Sequence, residues 1–167
     1  AAWESDVRAL CNELLDNVEG QEVIDAAVDY AQHIPVNVIA RMLGFPLEDS
    51  DLFRKFVHDV LEGVDEPAHV RQPKFDRLFD YVSVQIEEHQ ANPREDLTSF
   101  LLNATIYDQP LSMRHVAGSI VLLLLAGIDT TWSAIGSSIW HLATTPADRE
   151  RLVREPELMP TAIEEFL

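Results

Sequence analysis

Val116-Ala117-Gly118-Ser119-Ile120-Val121-Leu122-Leu123-Leu124-Leu125-Ala126-Gly127-Ile128-Asp129-Thr130-Thr131 is the stretch that decides the fold. No residue from Val116 to Ile128 carries a charge. Helical character extends on both sides, from Ser112, with Met113 and Arg114 in the first turn, to about Thr144, where Pro146 stops it. At about 1.5 Å per residue such a helix spans roughly 50 Å, enough to cross a whole domain. A membrane span needs about 20 apolar residues, and Asp129 ends this run well short of that. The stretch reads as a buried core helix, and the chain as one without a membrane segment.

Toward the N terminus the hydrophobic period remains helical. Trp3, Val7, Leu10, Cys11, Leu14, Leu15 and Val18 follow the i, i+3, i+4, i+7 template until Gly20. A second helix runs from about Asp25 to Leu43, with a kink or break expected at Pro35, which has no N–H to donate. Gly44-Phe45-Pro46 closes it. Acids and cap-competent side chains at Glu48-Asp49-Ser50-Asp51 precede a third helix carrying Leu52, Phe53, Phe56, Val57 and Val60. Gly63 to Pro73 reads as a polar connector. A fourth helix bears Phe75, Leu78, Phe79, Val82 and Ile86 and ends near Asn92-Pro93. A shorter one from Asp96 to Thr105 turns Leu97, Phe100 and Leu101 inward, and Tyr107-Asp108-Gln109-Pro110 forms a turn. Beyond the long helix, Ala147 to Arg154 is amphipathic, Glu155-Pro156 is a break, and a last helix starts at Thr161. There is no repeat, and no strand-period stretch exceeds a few residues. The fold class is all-α.

Composition narrows the function classes. Apolar residues at 47% and charged residues at 25% of 167 are ordinary for a globular domain. Acidic residues outnumber basic ones 29 to 12, a net charge of −17, which opposes a nucleic-acid or anionic-membrane surface. Cys11 is the only cysteine, so a disulfide framework, a zinc knuckle and a CxxC pair are excluded. Its place on the apolar face of the first helix reads as a buried structural thiol. The chain opens at Ala1 without Met and closes on the helical run Ala162 to Leu167, without a stop signal. Residues 1–167 therefore read as a single incomplete domain cut from a longer protein.

Most catalytic templates are absent: no GxSxG, GxGxxG, Walker loop or HExxH occurs. His33, His58, His69, His89, His115 and His141 never fall three or four apart, so a helix-borne pair of metal-binding histidines is absent and each reads as a surface or helix-end residue. Glu87-Glu88 and Glu164-Glu165 read as solvated faces, because neighbours on a helix point about 100° apart. One place breaks the local rules. Gly127 in a helix interior costs about 1 kcal/mol relative to Ala. Thr130 and Thr131 are β-branched, and Asp129 places an acid in an apolar setting. Such conflicts mark functional sites. A Thr130 hydroxyl bonded to the Ala126 carbonyl would open or bend the helix. Gly127 would leave a groove for a small molecule, with Asp129 as an adjacent proton-exchanging group. A packing glycine, a capping-type threonine and a water-solvated aspartate remain an equal alternative.

These residues resemble a known family. Ala126-Gly127-Ile128-Asp129-Thr130-Thr131 is similar to the A-G-x-D/E-T-T signature in the distal helix of cytochrome P450 heme-thiolate monooxygenases. Pro35 to Gly44 resembles the P-x-x-V-I-x-x-x-L-G helix end of soluble bacterial members. His141 to Pro146 followed by Arg151-Leu152 resembles the end of the distal helix and the helix after it, and Ala162 to Leu167 the start of the E-x-x-R helix. The resemblance covers essentially the whole chain, in the family's order.

It implies the helical middle portion of the P450 fold, with about Ser112 to Thr144 as the distal helix. It implies an oxidoreductase that inserts one oxygen atom from O2 into a small apolar organic substrate. The cofactor would be heme (iron protoporphyrin IX), with NAD(P)H-derived electrons delivered through a ferredoxin or other electron-transfer partner, in the cytoplasm. Thr130 would be the alcohol that holds dioxygen and hands it a proton, and Asp129 the acid feeding protons toward it. Ala126 and Gly127 would form the oxygen groove, Leu123 would lie against the heme, and Leu122 and Leu125 would face substrate. Glu165 would be the structural acid of E-x-x-R, whose arginine would follow Leu167. The F-x-x-G-x-x-x-C heme-ligand loop is not among these residues, Cys11 does not match it, and no metal ligand is expected within the chain, which alone would be inactive. The alternative from another class is a non-catalytic all-α ligand- or partner-binding domain.

Overall fold

A computed structural model describes residues 3–167 and is helical almost throughout. The chain divides into two compact units: Pro35–Asp129, and residues 3–34 together with Thr130–Leu167.

The unit Pro35–Asp129 holds most of the core. Helix α2 (His33–Leu43) contributes its larger part here, and Pro35 lies in its first turn, where an N–H has no intrahelical acceptor in any case. The break expected at Pro35 comes earlier, at Gln32, which separates α2 from a π-helical turn over Ala26–Ala31. Gly44, at φ +71°, ends α2 in the left-handed conformation. Helix α3 (Ser50–Val57) continues into a π-helical turn over His58–Glu62. Phe45, Phe53 and Phe56 surround the ring of Tyr81 with centroids 5.5 to 5.9 Å from it. Helix α4 (Ala68–Ala91) buries Leu78, Val82 and Ile86. It begins earlier than expected: Pro67 is its N-cap and Pro73 lies inside it, so the connector is short. Pro73 sits in the second turn, where it removes one backbone bond without ending the helix.

A polar cluster ties this unit together where the sequence predicted only surface. His89, expected at the surface or at a helix end, lies in the last turn of α4 and is 1% exposed. Its Nδ1 donates to the Gln85 carbonyl at 2.6 Å, and its Nε2 lies 3.0 Å from an Asp96 carboxylate oxygen. Asp96 also caps helix α5 (Leu97–Asn103) by accepting from the Ser99 amide at 2.7 Å. Thr98 donates to the Leu43 carbonyl at 2.8 Å and Arg94 to the Gly44 carbonyl at 2.9 Å, satisfying the end of α2. A Cβ on Gly44 would stand 2.0 Å from the Asp96 carboxylate, so the cluster requires glycine there for space as well as for φ. Helix α5 therefore buries Thr98 and Ser99, and Phe100, expected to turn inward, is 66% exposed. A two-residue antiparallel ladder, β1 (Thr105–Ile106) with β2 (Gln109–Pro110), follows. Tyr107 and Asp108, both at positive φ, make its turn.

Helix α6 (Met113–Thr144) is the long helix, within one or two residues of the sequence boundaries. By length and composition it could cross a membrane. Val116, Ile120, Val121, Leu124 and Ile128 are buried along one stripe. Burial is confined to that stripe, so the expectation of a wholly buried stretch is corrected: Leu122 is 65% exposed.

The other unit is thinly packed. Helix α1 (Glu4–Val18) buries only Leu14, and Gly20 at φ +80° follows its end. Cys11 is half-buried rather than buried. Thr145 precedes helix α7 (Pro146–Arg154) without a side-chain capping bond, and Pro146 is the helix's first residue, where proline is favoured. Helix α8 (Met159–Phe166) starts two residues ahead of the expected position, with Pro160 in its first turn. His141 near the end of α6 meets Asp148 at 2.8 Å, Arg149 donates to the Leu142 carbonyl at 3.1 Å, and the His141 ring faces Phe166 at 5.4 Å.

Candidate functional site on the long helix

Ala126 to Thr131 are all within α6, and the helix runs through them without a break. A repeat of four on an α-helix keeps residues on one face, so Leu122, Ala126 and Thr130 form a stripe, and all three are exposed. Leu123, Leu125 and Asp129 flank it, each half-buried. On the opposite side, Leu124 and Ile128 are buried. One helix thus carries a packed face and an open one, and every proposed oxygen- or substrate-facing residue except Gly127 lies on or beside the open face.

Gly127 answers to the packed side. A Cβ there would stand 2.7 Å from Ile39 Cδ1 and 3.1 Å from Ile39 Cγ1, so α2 occupies the space a side chain would need. Its missing side chain lets α6 and α2 approach closely, and the groove expected at Gly127 is filled by Ile39. The small residue on the open face is Ala126.

From Thr130 onward the helix borders a cleft of about 540 Å³. Thr130, Thr131, Ile135 and Ile139 line it from α6, Ile163 and Phe166 from α8, and Tyr30 from the π-helical turn. Tyr30 was not singled out from the sequence. The apolar repeat of four through Thr131, Ile135 and Ile139 is the signal that could have found this cleft, although not its tyrosine. The Tyr30 phenol is pushed up to about 12, first by burial and then by the neighbouring Cys11 thiol. Glu165 is exposed and lines a separate cleft of about 450 Å³ with His141, Asp148 and Arg151.

Among the described residues no group of three or more His, Cys, Asp or Glu side chains is placed to hold a metal ion. The open face fits one side of a flat apolar cofactor: Leu122 and Ala126 present hydrocarbon, and Thr130 a hydroxyl. It offers no iron ligand.

Residues 36–158 match the cytochrome P450 family, and the chain belongs to that family. It is 33% identical over 165 residues to vitamin D(3) 25-hydroxylase of Pseudonocardia autotrophica, covering 98% of this chain and 40% of that protein. It is 31% identical over 163 residues to cytochrome P450 CYP107DY1 of Priestia megaterium, covering 96% and 40%. The crystal structure of CYP109E1 from Bacillus megaterium in complex with testosterone superposes with a TM-score of 0.88 at 35% identity, over 98% of this chain and 45% of that one. The chain thus spans about 40% of the length of the curated relatives it matches.

Proposed function

We propose that this chain supplies the distal wall of a heme-dependent monooxygenase that inserts one atom of O2 into a small apolar organic substrate. The observation that carries this reading is the exposed Leu122–Ala126–Thr130 stripe opposite the buried Leu124 and Ile128 of the same helix, with Thr130 opening the threonine pair. Heme, when bound, supplies the activation of oxygen. Leu123, Ala126, Gly127 and Thr130 would hold it from this side, with Gly127 adding only backbone because Ile39 fills the space beside it. Leu122 and Leu125 present hydrocarbon to an apolar substrate. Testosterone in the CYP109E1 complex and vitamin D(3) in the name of the Pseudonocardia autotrophica relative support an apolar substrate class.

Thr130 acts as a hydroxyl that holds and passes a proton, and Asp129, one residue away and half-buried, relays protons from solvent. Glu165 has a structural role at the start of the last helix. Electrons come from NAD(P)H through a ferredoxin or other electron-transfer protein. The bacterial sources of the relatives support a cytoplasmic location. No observation favours the non-catalytic binding domain over this reading.

The test is the partition of electrons in the full-length protein. Thr130→Ala should raise peroxide formed per product by about tenfold or more, because a general acid contributes about 10² or more to its step. Substrate binding should stay within about twofold, since the removed hydroxyl acts on oxygen chemistry rather than on affinity. Equal partition in mutant and wild type would overturn the role, and the lack of a thiolate-type heme spectrum with carbon monoxide would overturn the whole reading.

A further inference from the structure

Gly127 meets a residue that the motif does not contain. Ile39 Cδ1 and Cγ1 stand 2.7 and 3.1 Å from where a Cβ on Gly127 would be. Ile39 has little room to retreat. It is buried, and Val36, Ala40 and Leu43 on the same helix are fully buried. Its branched Cβ leaves few rotamers in a helix. The end of α2 is also tied to α5 and the loop before it. Thr98 donates to the Leu43 carbonyl at 2.8 Å, and Arg94 to the Gly44 carbonyl at 2.9 Å. Helix α2 is therefore a fixed stop, and Ile39 is its point of contact at Gly127.

We propose that Ile39 is a positioning residue for the Ala126–Gly127 step, setting where the open face of α6 stands. The inference rests on the reading of that face as the wall beside heme and oxygen. Successive residues of an α-helix point about 100° apart, so Gly127 stands to the side of Ala126. Helix α6 runs unbroken through both, so a displacement at Gly127 is carried to Ala126 and to Thr130 one turn on. A Cβ added at Gly127 moves the exposed stripe sideways, and a shortened residue 39 leaves it without its stop. Either change misplaces the Thr130 hydroxyl, and a misplacement of about 1 Å can cost about 10²-fold in a reaction step. The side chain at 39 then governs coupling although it lies on another helix.

Four variants of the full-length protein test this, each read at a temperature where circular dichroism shows it folded. Ile39→Ala removes both contact atoms and should raise peroxide formed per product by about three- to tenfold, with KM within about twofold. Ile39→Val removes Cδ1, keeps a carbon in the Cγ1 position, and should stay within about twofold of wild type. Gly127→Ala should raise peroxide per product by about tenfold, and adding Ile39→Val should bring it back to within about threefold. A second readout needs no turnover. The C–O stretching band of carbon monoxide bound to the reduced protein senses the distal wall. It should shift in Ile39→Ala and in Gly127→Ala, and return in the double variant. If Ile39→Ala does not fold, Ile39→Leu keeps the volume, moves the branch one carbon outward, and should change both readouts. A merely structural residue would lower stability and leave both readouts at wild type. That result in Ile39→Ala or Ile39→Leu, alongside an uncoupled Thr130→Ala, overturns this inference and leaves the role of Thr130 standing. A double variant as uncoupled as Gly127→Ala overturns it too, since the glycine would then serve the open face directly. Unchanged partition in Thr130→Ala overturns that role instead, and the carbon monoxide band then decides whether Ile39 seats the step.

Discussion

The two units differ in how they are held. Every buried hydrophobic residue described except Leu14, Ala31 and Ile34 belongs to Pro35–Asp129. Helix α6 shows the contrast within one element: its buried side chains are Val116, Ile120, Val121, Leu124 and Ile128, and none follows Asp129. The Ala-Gly-x-Asp-Thr-Thr residues stand where that packed stretch ends.

The largest effect should therefore come from two neighbours on opposite faces. Ile128→Ala removes a fully buried side chain and should cost about 2–5 kcal/mol of unfolding free energy. Thr130→Ala, two residues on but exposed, should change stability by no more than about 0.5 kcal/mol. Urea unfolding of both variants checks this. Similar losses in the two would show that the open face is packed after all and would break the contrast.

The same division explains what the sequence disclosed. Long apolar periodicity, the Gly44 stop and the prolines placed most helices within a few residues, because burial on one face leaves a period that composition cannot hide. The features that went unread are those with no period. Thr98 and Ser99 are inward because Thr98 satisfies the end of α2 and Ser99 is held by the Asp96 cap; a hydrophobicity pattern turns Phe100 inward instead. His89 and Asp96 meet across a loop between two helices, so no helical spacing relates them. At the site, the chemistry-bearing residues were legible because Gly, Asp and two Thr contradict an apolar helix. The face each one occupies was not, since it depends on Ile39 coming from a distant helix.

A smaller effect sharpens the reading of Gly127 as a packing residue. Gly127→Ala gains about 1 kcal/mol of helix propensity and forces a Cβ against Ile39, an overpacking term of about 1–3 kcal/mol. The net should be a loss of about 1 kcal/mol, moderated because Cδ1 is the end of a flexible side chain. Ile39→Val removes that carbon, so the double variant should be more stable than the sum of the two single changes predicts. Strict additivity in the cycle would mean that the glycine serves the open face rather than the contact with α2.

The smallest effect compares one tyrosine from each unit. Tyr81 donates to Asp49 at 2.7 Å, and burial, then that carboxylate, raise its phenol well above the usual range. Tyr30 is raised less, to about 12, by burial and Cys11. An unfolded phenol loses its proton near pH 10. Above that pH each folded phenol keeps a proton that the unfolded chain has released, so the folded state binds more protons and stability falls as pH rises. Both contributions are complete below pH 10. That of Tyr30 is spent as pH passes about 12, while that of Tyr81 continues to fall beyond it. Tyr81→Phe should cost about 1 kcal/mol at neutral pH through the lost hydrogen bond, and Tyr30→Phe less than that, given its solvent access. Both variants should flatten the alkaline slope, Tyr81→Phe the more. A phenol absorbance titration checks the order directly: Cys11→Ala should bring Tyr30 back toward 10 and leave Tyr81 where it is. A Tyr30 midpoint that ignores Cys11→Ala would leave burial as its sole cause.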